Sequence, residues 1–106
     1  MRVLFDQGTP VPLRQVLSGH SVATAYELGW STLKNGDLLR SAEENGFEVL
    51  VTTDSNLRYQ QNLASRRIAV IVLSTISWPR IRAASARVAA AVGAASTGSY
   101  AEVVIP

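Results

Sequence analysis

The chain of 106 residues has no cysteine, one histidine and one methionine. Without cysteine there can be no disulfide framework and no thiolate metal site, and with one histidine a zinc site is not expected. The sequence lacks an apolar run of about 18 residues, the minimum for a transmembrane helix. It also lacks a basic segment followed by an apolar one at its start. These absences predict a cytoplasmic protein with no membrane partner.

Several enzyme signatures are also missing. The sequence has no Gly-x-Ser-x-Gly elbow, no Walker loop and no Gly-x-Gly-x-x-Gly fingerprint. Hydrophobic residues make up 47% of the chain and charged residues 17%, which is typical of a folded globular protein. The length is that of one domain with a core of its own, so we expect a single domain over residues 1–106.

Charge is distributed unevenly along the chain. Residues 1–54 contain seven acidic and four basic side chains, whereas residues 55–106 contain six arginines and a single acid, Glu102. One interpretation is ordinary solvated helix faces. The other is an enzyme that holds a metal ion in its acidic part and a polyanion in its basic part.

Short apolar runs alternate with helix-like segments. This alternation predicts an α/β three-layer sandwich with a mainly parallel sheet of four to five strands. The run Ile68–Leu73 is continuously apolar, as expected for a strand covered on both faces. The predicted strands are 2–5, 21–26, 47–52, 68–73 and 101–105.

Helix boundaries follow from capping residues, prolines and glycines. Thr9 is a candidate cap for the first helix, which has Pro10 and Pro12 in its first turn. Ser55 is a candidate cap for the third, and Pro79 lies at the start of the fourth. The predicted helices end near residues 19, 45, 65 and 93, and the segment 28–34 is a predicted loop.

Aspartate follows two of the predicted strands. Asp6 comes directly after the first strand, and Asp54 comes shortly after the third. Ligands of parallel α/β sheets bind beyond the carboxyl ends of the strands, so both acids are expected at one crevice. Asp37, at the start of a helix, is a third candidate, and Glu27 and Asn56 are further ones. Carboxylates in a crevice suit a hard divalent cation, although Asp37 and Asp54 are also ordinary helix-start residues.

The order and spacing of these segments resemble the PIN-like nuclease superfamily, and within it a short single-domain, toxin-like family. The resemblance covers residues 1–75 and is carried by four stations of the sequence. They are Leu4-Phe5-Asp6-Gln7-Gly8, Gly19-His20-Ser21-Val22, Gly36-Asp37-Leu38-Leu39-Arg40-Ser41-Ala42 and Val49-Leu50-Val51-Thr52-Thr53-Asp54-Ser55-Asn56-Leu57.

The resemblance implies a ribonuclease that depends on Mg²⁺ or Mn²⁺, often the toxin of a toxin–antitoxin pair. It implies catalytic and metal-binding roles for Asp6, Asp37 and Asp54. Asn56, through its amide oxygen, is a further candidate metal ligand. The family pattern has Asp-Glu-Asn where this chain has Asp6-Gln7-Gly8, and a second aspartate where it has Asn56. Each change removes one negative charge, which weakens divalent binding. A catalytically degenerate module that binds nucleic acid or a protein partner is therefore the alternative.

Other polar and aromatic residues have competing interpretations. Arg58, Arg80 and Arg82 are candidate RNA contacts. His20 is more typical of a turn than of a general base, and Ser74, Thr75 and Ser77 suit either phosphate binding or turn formation. Trp30, in the predicted loop, is expected to be exposed as a stacking or partner surface, whereas Tyr59 and Trp78 are expected to pack their helices on the sheet. The fifth strand, if at an edge, would allow a homodimer.

Overall fold

The computed structural model describes residues 1–57 and 62–106. Five strands in this part of the chain form one sheet in the order β2-β1-β3-β4-β5. Every neighbouring pair is parallel, so the predicted α/β sandwich with a parallel sheet is confirmed. The strands are β1 (Arg2–Phe5), β2 (Ser21–Thr24), β3 (Val49–Thr52), β4 (Ala69–Leu73) and β5 (Tyr100–Val103).

Alternate side chains of each strand build two separate cores. Val3 and Phe5 of β1 belong to one core, and Leu4 belongs to the other. This alternation follows from the two-residue period of a strand, and all five β4 residues are buried because both faces are covered. A 3₁₀ helix (Val11–Leu17), α2 (Trp78–Ala83) and α3 (Ser85–Ala94) cover the first face, and α1 (Asn35–Glu44) covers the second.

The segment after β1 differs from the prediction. It forms a 3₁₀ helix instead of an α-helix, and Thr9 does not cap it. Pro10 takes the cap position, and Pro12 has no N–H for a capping side chain to satisfy. Thr9 is 4% exposed, and its hydroxyl instead donates to groups at the carboxyl ends of β1 and β3. Thr9 is a residue type that commonly caps helices, but here its side chain bonds the ends of the two central strands β1 and β3.

The predicted fourth helix is two helices. The chain leaves helical geometry at Ala84, where φ is −110° and ψ is 22°, and α3 then continues one residue past Gly93. Neither proline nor glycine marks this break. Ile81 before it and Val88 after it are both fully buried in the same core, so the two helices pack on one face of the sheet.

Helix α1 and strands β2 and β3 lie within two residues of their predicted bounds. Helix α1 begins at Asn35 as expected, and Gly46 follows it with φ at +79°. Strand β2 ends at Thr24, two residues before its predicted end, and β3 begins two residues late at Val49. The predicted helix 56–65 falls partly outside the described residues, which include a short 3₁₀ turn at Leu63–Ser65.

The two tryptophans both contribute to packing. Trp30 was expected to be exposed, but it is half-buried and meets Phe47 edge to face, with the ring centroids 6.1 Å apart. Trp78 packs against the core beneath α2, as expected. Tyr59 lies outside the described residues. None of the helices in the described ranges is long and apolar enough to cross a bilayer.

Candidate functional site

The strand order creates a crevice between β1 and β3. After β1 the chain crosses one face of the sheet, because Leu13 and Leu17 of the 3₁₀ helix pack there. After β3 it crosses the opposite face, where Leu57 and Leu63 are buried. Two neighbouring parallel strands whose connections leave to opposite faces form a topological switch point, the usual ligand site of such sheets. Asp6 follows β1 directly, so sequence reasoning placed it correctly at this crevice.

The Asp6 carboxylate is held by two buried hydroxyl groups. Thr9 Oγ1 lies 2.7 Å from Asp6 Oδ1, and Thr52 Oγ1 donates to Asp6 Oδ2. The Thr9 hydroxyl also lies 2.9 Å from the carbonyl oxygen of Val51, so its proton is shared between that oxygen and the Asp6 carboxylate. These bonds fix the orientation of Asp6 across the two strand ends.

Asp54 is held from three directions. Its Oδ2 accepts a hydrogen bond from Asn35 Nδ2 at 2.8 Å, and its Oδ1 accepts one from the Asn56 backbone N–H at 2.9 Å. Its own N–H donates to Thr52 Oγ1 at 3.1 Å. The Thr52 hydroxyl therefore donates to one aspartate and accepts from the other, so the two acids are joined through a single side chain. The bond to Asn56 also makes Asp54 a local cap of the turn that follows.

The site keeps capacity to bind a cation. Each carboxylate oxygen of Asp6 and Asp54 accepts one described hydrogen bond and has a second lone pair. Both side chains are half-buried, so they are accessible and only partly desolvated. Two carboxylates supplemented by water suit Mg²⁺, which rarely needs a complete cage of protein ligands.

Asp37 has different surroundings. Its carboxylate forms an ion pair with Arg40 on the exposed side of α1, and 53% of its side chain is exposed. Among the described residues, no group of three acidic, histidine or cysteine side chains is placed to hold a metal ion. Asn35, at the start of α1, is the residue that instead contacts Asp54, and sequence reasoning missed it. Its only signal was an amide at a helix start, which resembles any capping residue.

Two cavities flank the loop that follows β1. Asp6 and Gln7 line both of them. The smaller, of about 90 Å³, extends toward Trp30 and Asn35. The larger, of about 460 Å³, lies between the 3₁₀ helix and the end of β2. A third cavity, of about 430 Å³, lies at the opposite end of the sheet, far from the strand ends that present Asp6.

Gly8 allows the loop after β1 to pack closely on β3. A Cβ atom at this position would lie 2.7 Å from Thr53 Oγ1, which is closer than such atoms approach. With alanine here, the Thr53 side chain, the loop or the end of β3 would have to shift, so glycine allows this close approach. The sequence drew attention to Gly8 as a departure from the family pattern, and the structure gives it a steric role.

The other predicted metal and RNA contacts are Asn56, Arg58, Arg80 and Arg82. Arg80 donates to the carbonyl oxygens of Ile105 and Pro106, each at 3.0 Å, so it holds the end of the chain. Arg82 is exposed on α2, and Arg58 lies outside the described residues. Asn56 contacts Asp54 through its backbone N–H.

The remaining polar candidates make local contacts. Glu27 pairs with Arg14, whose guanidinium, together with the backbone N–H of Thr24, lowers the pKa of the Glu27 carboxyl. His20 Nδ1 lies 3.2 Å from the N-terminal amine. After β4, Ser74 Oγ accepts from the Ile105 N–H at 2.7 Å and so joins this strand end to the segment after β5. Thr75 Oγ1 accepts from the Ser77 N–H at 3.1 Å within the turn itself.

Comparison of the chain with family models, curated proteins and solved structures finds no match in any of the three. The resemblance to PIN-like nucleases therefore depends on the four sequence stations alone. Of their acids, Asp6 and Asp54 follow the two strands that form the crevice, and Asp37 is paired with Arg40 on α1.

Proposed function

We propose that this protein is a PIN-like ribonuclease that depends on Mg²⁺ or Mn²⁺, with Asp6 and Asp54 as the ligands of its cation. The observation that carries the proposal is the shared Thr52 hydroxyl, which bonds the Asp6 carboxylate and the Asp54 backbone N–H at the β1/β3 switch point. The donor set fits a hard cation, because it offers two half-buried carboxylates with free lone pairs. Asp37 remains a predicted third ligand that would have to leave Arg40.

The residues of the site would have two roles, to bind the cation and to orient the carboxylates that bind it. Asp6 and Asp54 would hold the cation, which when bound would supply activation of water and stabilisation of the leaving oxygen at a phosphodiester. Thr9, Thr52 and Asn35 keep the two carboxylates oriented. Such preorganisation matters because a misplaced ligand costs both cation affinity and rate.

The first test is cleavage of single-stranded RNA in the presence of Mn²⁺. Asp6→Asn and Asp54→Asn are each expected to reduce cleavage at least a hundredfold, because each removes half of the charge that binds the cation. Glu44→Gln, a similar neutralisation of an exposed acid on α1, should leave activity unchanged. Asp37→Asn decides whether the third predicted ligand takes part.

Two outcomes would contradict the proposal. One is full activity in both Asp6→Asn and Asp54→Asn, with thermal melting showing that both variants are folded. The other is the absence of selective paramagnetic broadening at Asp6 and Asp54 when Mn²⁺ is titrated into labelled protein and followed by NMR. Broadening centred on these two residues supports the site independently of the choice of RNA.

The second candidate function is a non-catalytic module of the same fold that binds nucleic acid or a protein partner. It is favoured by the internal hydrogen bonds to all four carboxylate oxygens of Asp6 and Asp54 and by the pairing of Asp37 with Arg40. In a toxin role, an antitoxin segment with a basic residue would neutralise the same acids. RNA binding that survives chelation and the Asp6→Asn change, without cleavage, would establish the module over the nuclease.

A further inference from the structure

The larger cavity beside Asp6 is not used by the proposed metal chemistry. It measures about 460 Å³ and is bounded by the loop after β1, the 3₁₀ helix and the residues that follow β2. Its volume lies in the range of cavities that bind small organic ligands. Because Asp6 lines this cavity, a ligand bound there would reach the carboxylate proposed to hold the cation.

Two apolar side chains are exposed at this cavity. Tyr26, just past β2, is 75% exposed, and Val11, at the start of the 3₁₀ helix, is 54% exposed. Both contribute to its walls. Exposed apolar groups around a concavity mark ligand sites more often than isolated ones do. An accessible tyrosine ring offers a flat face on which another planar ring can stack.

The charges around the cavity disfavour an anion and suit a neutral ligand. Among the described residues that line it, Arg14 is the one basic side chain, and its guanidinium already pairs with Glu27. Asp6 adds a further negative charge. This net negative charge would repel a phosphate group but would not repel a neutral ring.

Two polar side chains of the cavity wall can read the edge of a ring. Arg14 lines the cavity with a side chain that is 38% exposed. Its guanidinium carries five N–H donors, and the pair with Glu27 uses Nη2. Gln7, which is exposed at the same cavity, supplies an amide that can both donate and accept. The wall thus combines a stacking face with groups that can read the edge of a ring.

We infer that this cavity is a base-recognition pocket, in which one nucleobase of the RNA stacks on Tyr26 and its edge meets Gln7 and Arg14. The inference rests on the proposed ribonuclease function, because it places the base next to the carboxylate that would hold the cation. It also gives Gln7 a role. The family pattern has a glutamate at this position, and a neutral amide suits a base better than a second negative charge does.

The test is titration of labelled protein with AMP, CMP, GMP and UMP in EDTA, followed by NMR. Chelation removes any contribution from a cation, and ribose 5-phosphate, which has no base, serves as the control ligand. At least one nucleotide is expected to shift the signals of Gln7, Val11 and Tyr26. Titration to about 10 mM nucleotide is sufficient to detect binding with a millimolar Kd. Ribose 5-phosphate should shift none of them.

The variants separate stacking from simple surface change. Tyr26→Ala is expected to weaken nucleotide binding about tenfold or more, because base–aromatic stacking contributes on this scale. Tyr26→Phe keeps the ring and should stay within about twofold. Ile76→Ala is the matched control, since Ile76 is 70% exposed at a different strand end.

The outcomes distinguish the pocket from the nuclease. Nucleotide binding that depends on the Tyr26 ring supports the pocket even if no Mn²⁺-dependent cleavage is found, and that combination overturns only the proposed function. RNA cleavage by a protein that binds no nucleotide, or that binds ribose 5-phosphate equally well, overturns the pocket and leaves the nuclease in place.

Discussion

Thr52 is the residue on which the arrangement of the two aspartates depends. Its side chain is fully buried at the end of β3, donates to Asp6 and accepts from the Asp54 N–H. A threonine at the end of a strand has no special sequence signal, because threonine is common in strands. Its role follows only from the pairing of β1 with β3, which brings Asp6 within reach.

Thr52→Val tests this link with little change in shape. It leaves the Asp54 N–H without its acceptor and removes one donor to Asp6, so we expect a loss of about 1–3 kcal/mol in the free energy of unfolding. Urea denaturation measures this change, and Mn²⁺ titration should show weaker binding. Thr32→Val, at an exposed position, should change stability by no more than about 0.5 kcal/mol. Equal stability and equal Mn²⁺ affinity in Thr52→Val and the parent protein would rule out the link.

Gly8 offers a second test at the residue scale. Gly8→Ala would place a Cβ 2.7 Å from Thr53 Oγ1, so the Thr53 side chain, the loop or the strand end must move. We expect a cost of about 1–3 kcal/mol in unfolding free energy, as for other overpacked sites, together with weaker Mn²⁺ binding. Gly19→Ala is the control, because nothing lies within 4 Å of its added Cβ. If the two alanine variants proved equally stable, the close approach at Gly8 would have no energetic weight.

At the scale of the elements, α2 links the end of the chain to the body of the protein. Arg80 of α2 donates to the Ile105 and Pro106 carbonyl oxygens, and Arg87 of α3 donates to the Val104 carbonyl oxygen at 3.2 Å. The segment after β5 is therefore held by two arginines. One of them, Arg80, is a predicted RNA contact that here has a structural role. Arg82 on the same helix is exposed and remains a predicted RNA contact.

Arg80→Ala and Arg82→Ala should therefore behave differently. Loss of the two Arg80 hydrogen bonds is expected to lower the free energy of unfolding by about 1–3 kcal/mol and to speed hydrogen exchange at the Ile105 N–H. Arg82→Ala should leave both unchanged and weaken RNA binding, with a salt slope smaller by about one. Hydrogen exchange at Ile105 that is unaffected by Arg80→Ala would show that the arginine does not hold the segment.

At the scale of the whole molecule, the uneven charge of the sequence becomes a division across the sheet. The acid-rich residues 1–54 form β2, β1, β3 and α1, and the arginine-rich part forms β4, β5, α2 and α3. The β1/β3 crevice lies within the acidic part, next to the boundary with β4. This arrangement agrees with a cation at the crevice and a polyanion that extends over the basic part.

Glu43 is a point where the two parts are joined. Its carboxylate oxygens lie 2.8 Å from Arg66 Nη1 and 2.8 Å from the Arg67 backbone N–H, and its side chain is only 11% exposed. Burial acts to raise the pKa of Glu43, but the Arg67 N–H and the Arg66 guanidinium outweigh it, so the pKa lies below the ordinary value. A carboxyl whose pKa is lower in the folded state stabilises the fold at neutral pH.

Glu43→Gln is expected to lower the free energy of unfolding by about 1–3 kcal/mol at pH 7. The difference from the parent protein should persist above the unfolded pKa of a glutamate and disappear as pH falls through the lowered folded value. Urea denaturation between pH 7 and pH 3 measures it. Glu44→Gln, which changes an exposed neighbour, is the control and should give a small, pH-independent difference. A constant difference for Glu43→Gln across this range would contradict the assignment.

The sequence by itself determined the elements that local physics dictates. Strand periodicity, the continuous apolar run of β4 and the glycine after α1 fixed the α/β class and most strand positions, because these signals depend on neighbours in the chain. It also placed Asp6 and Asp54 at strand ends. Only the tertiary structure decided which residues contact those acids. Thr9, a predicted cap, bonds Asp6, and Asn35, not Asp37, bonds Asp54. Arg80, a predicted RNA contact, bonds the Pro106 carbonyl oxygen. These outcomes depend on contacts between residues distant in sequence, which no local pattern encodes.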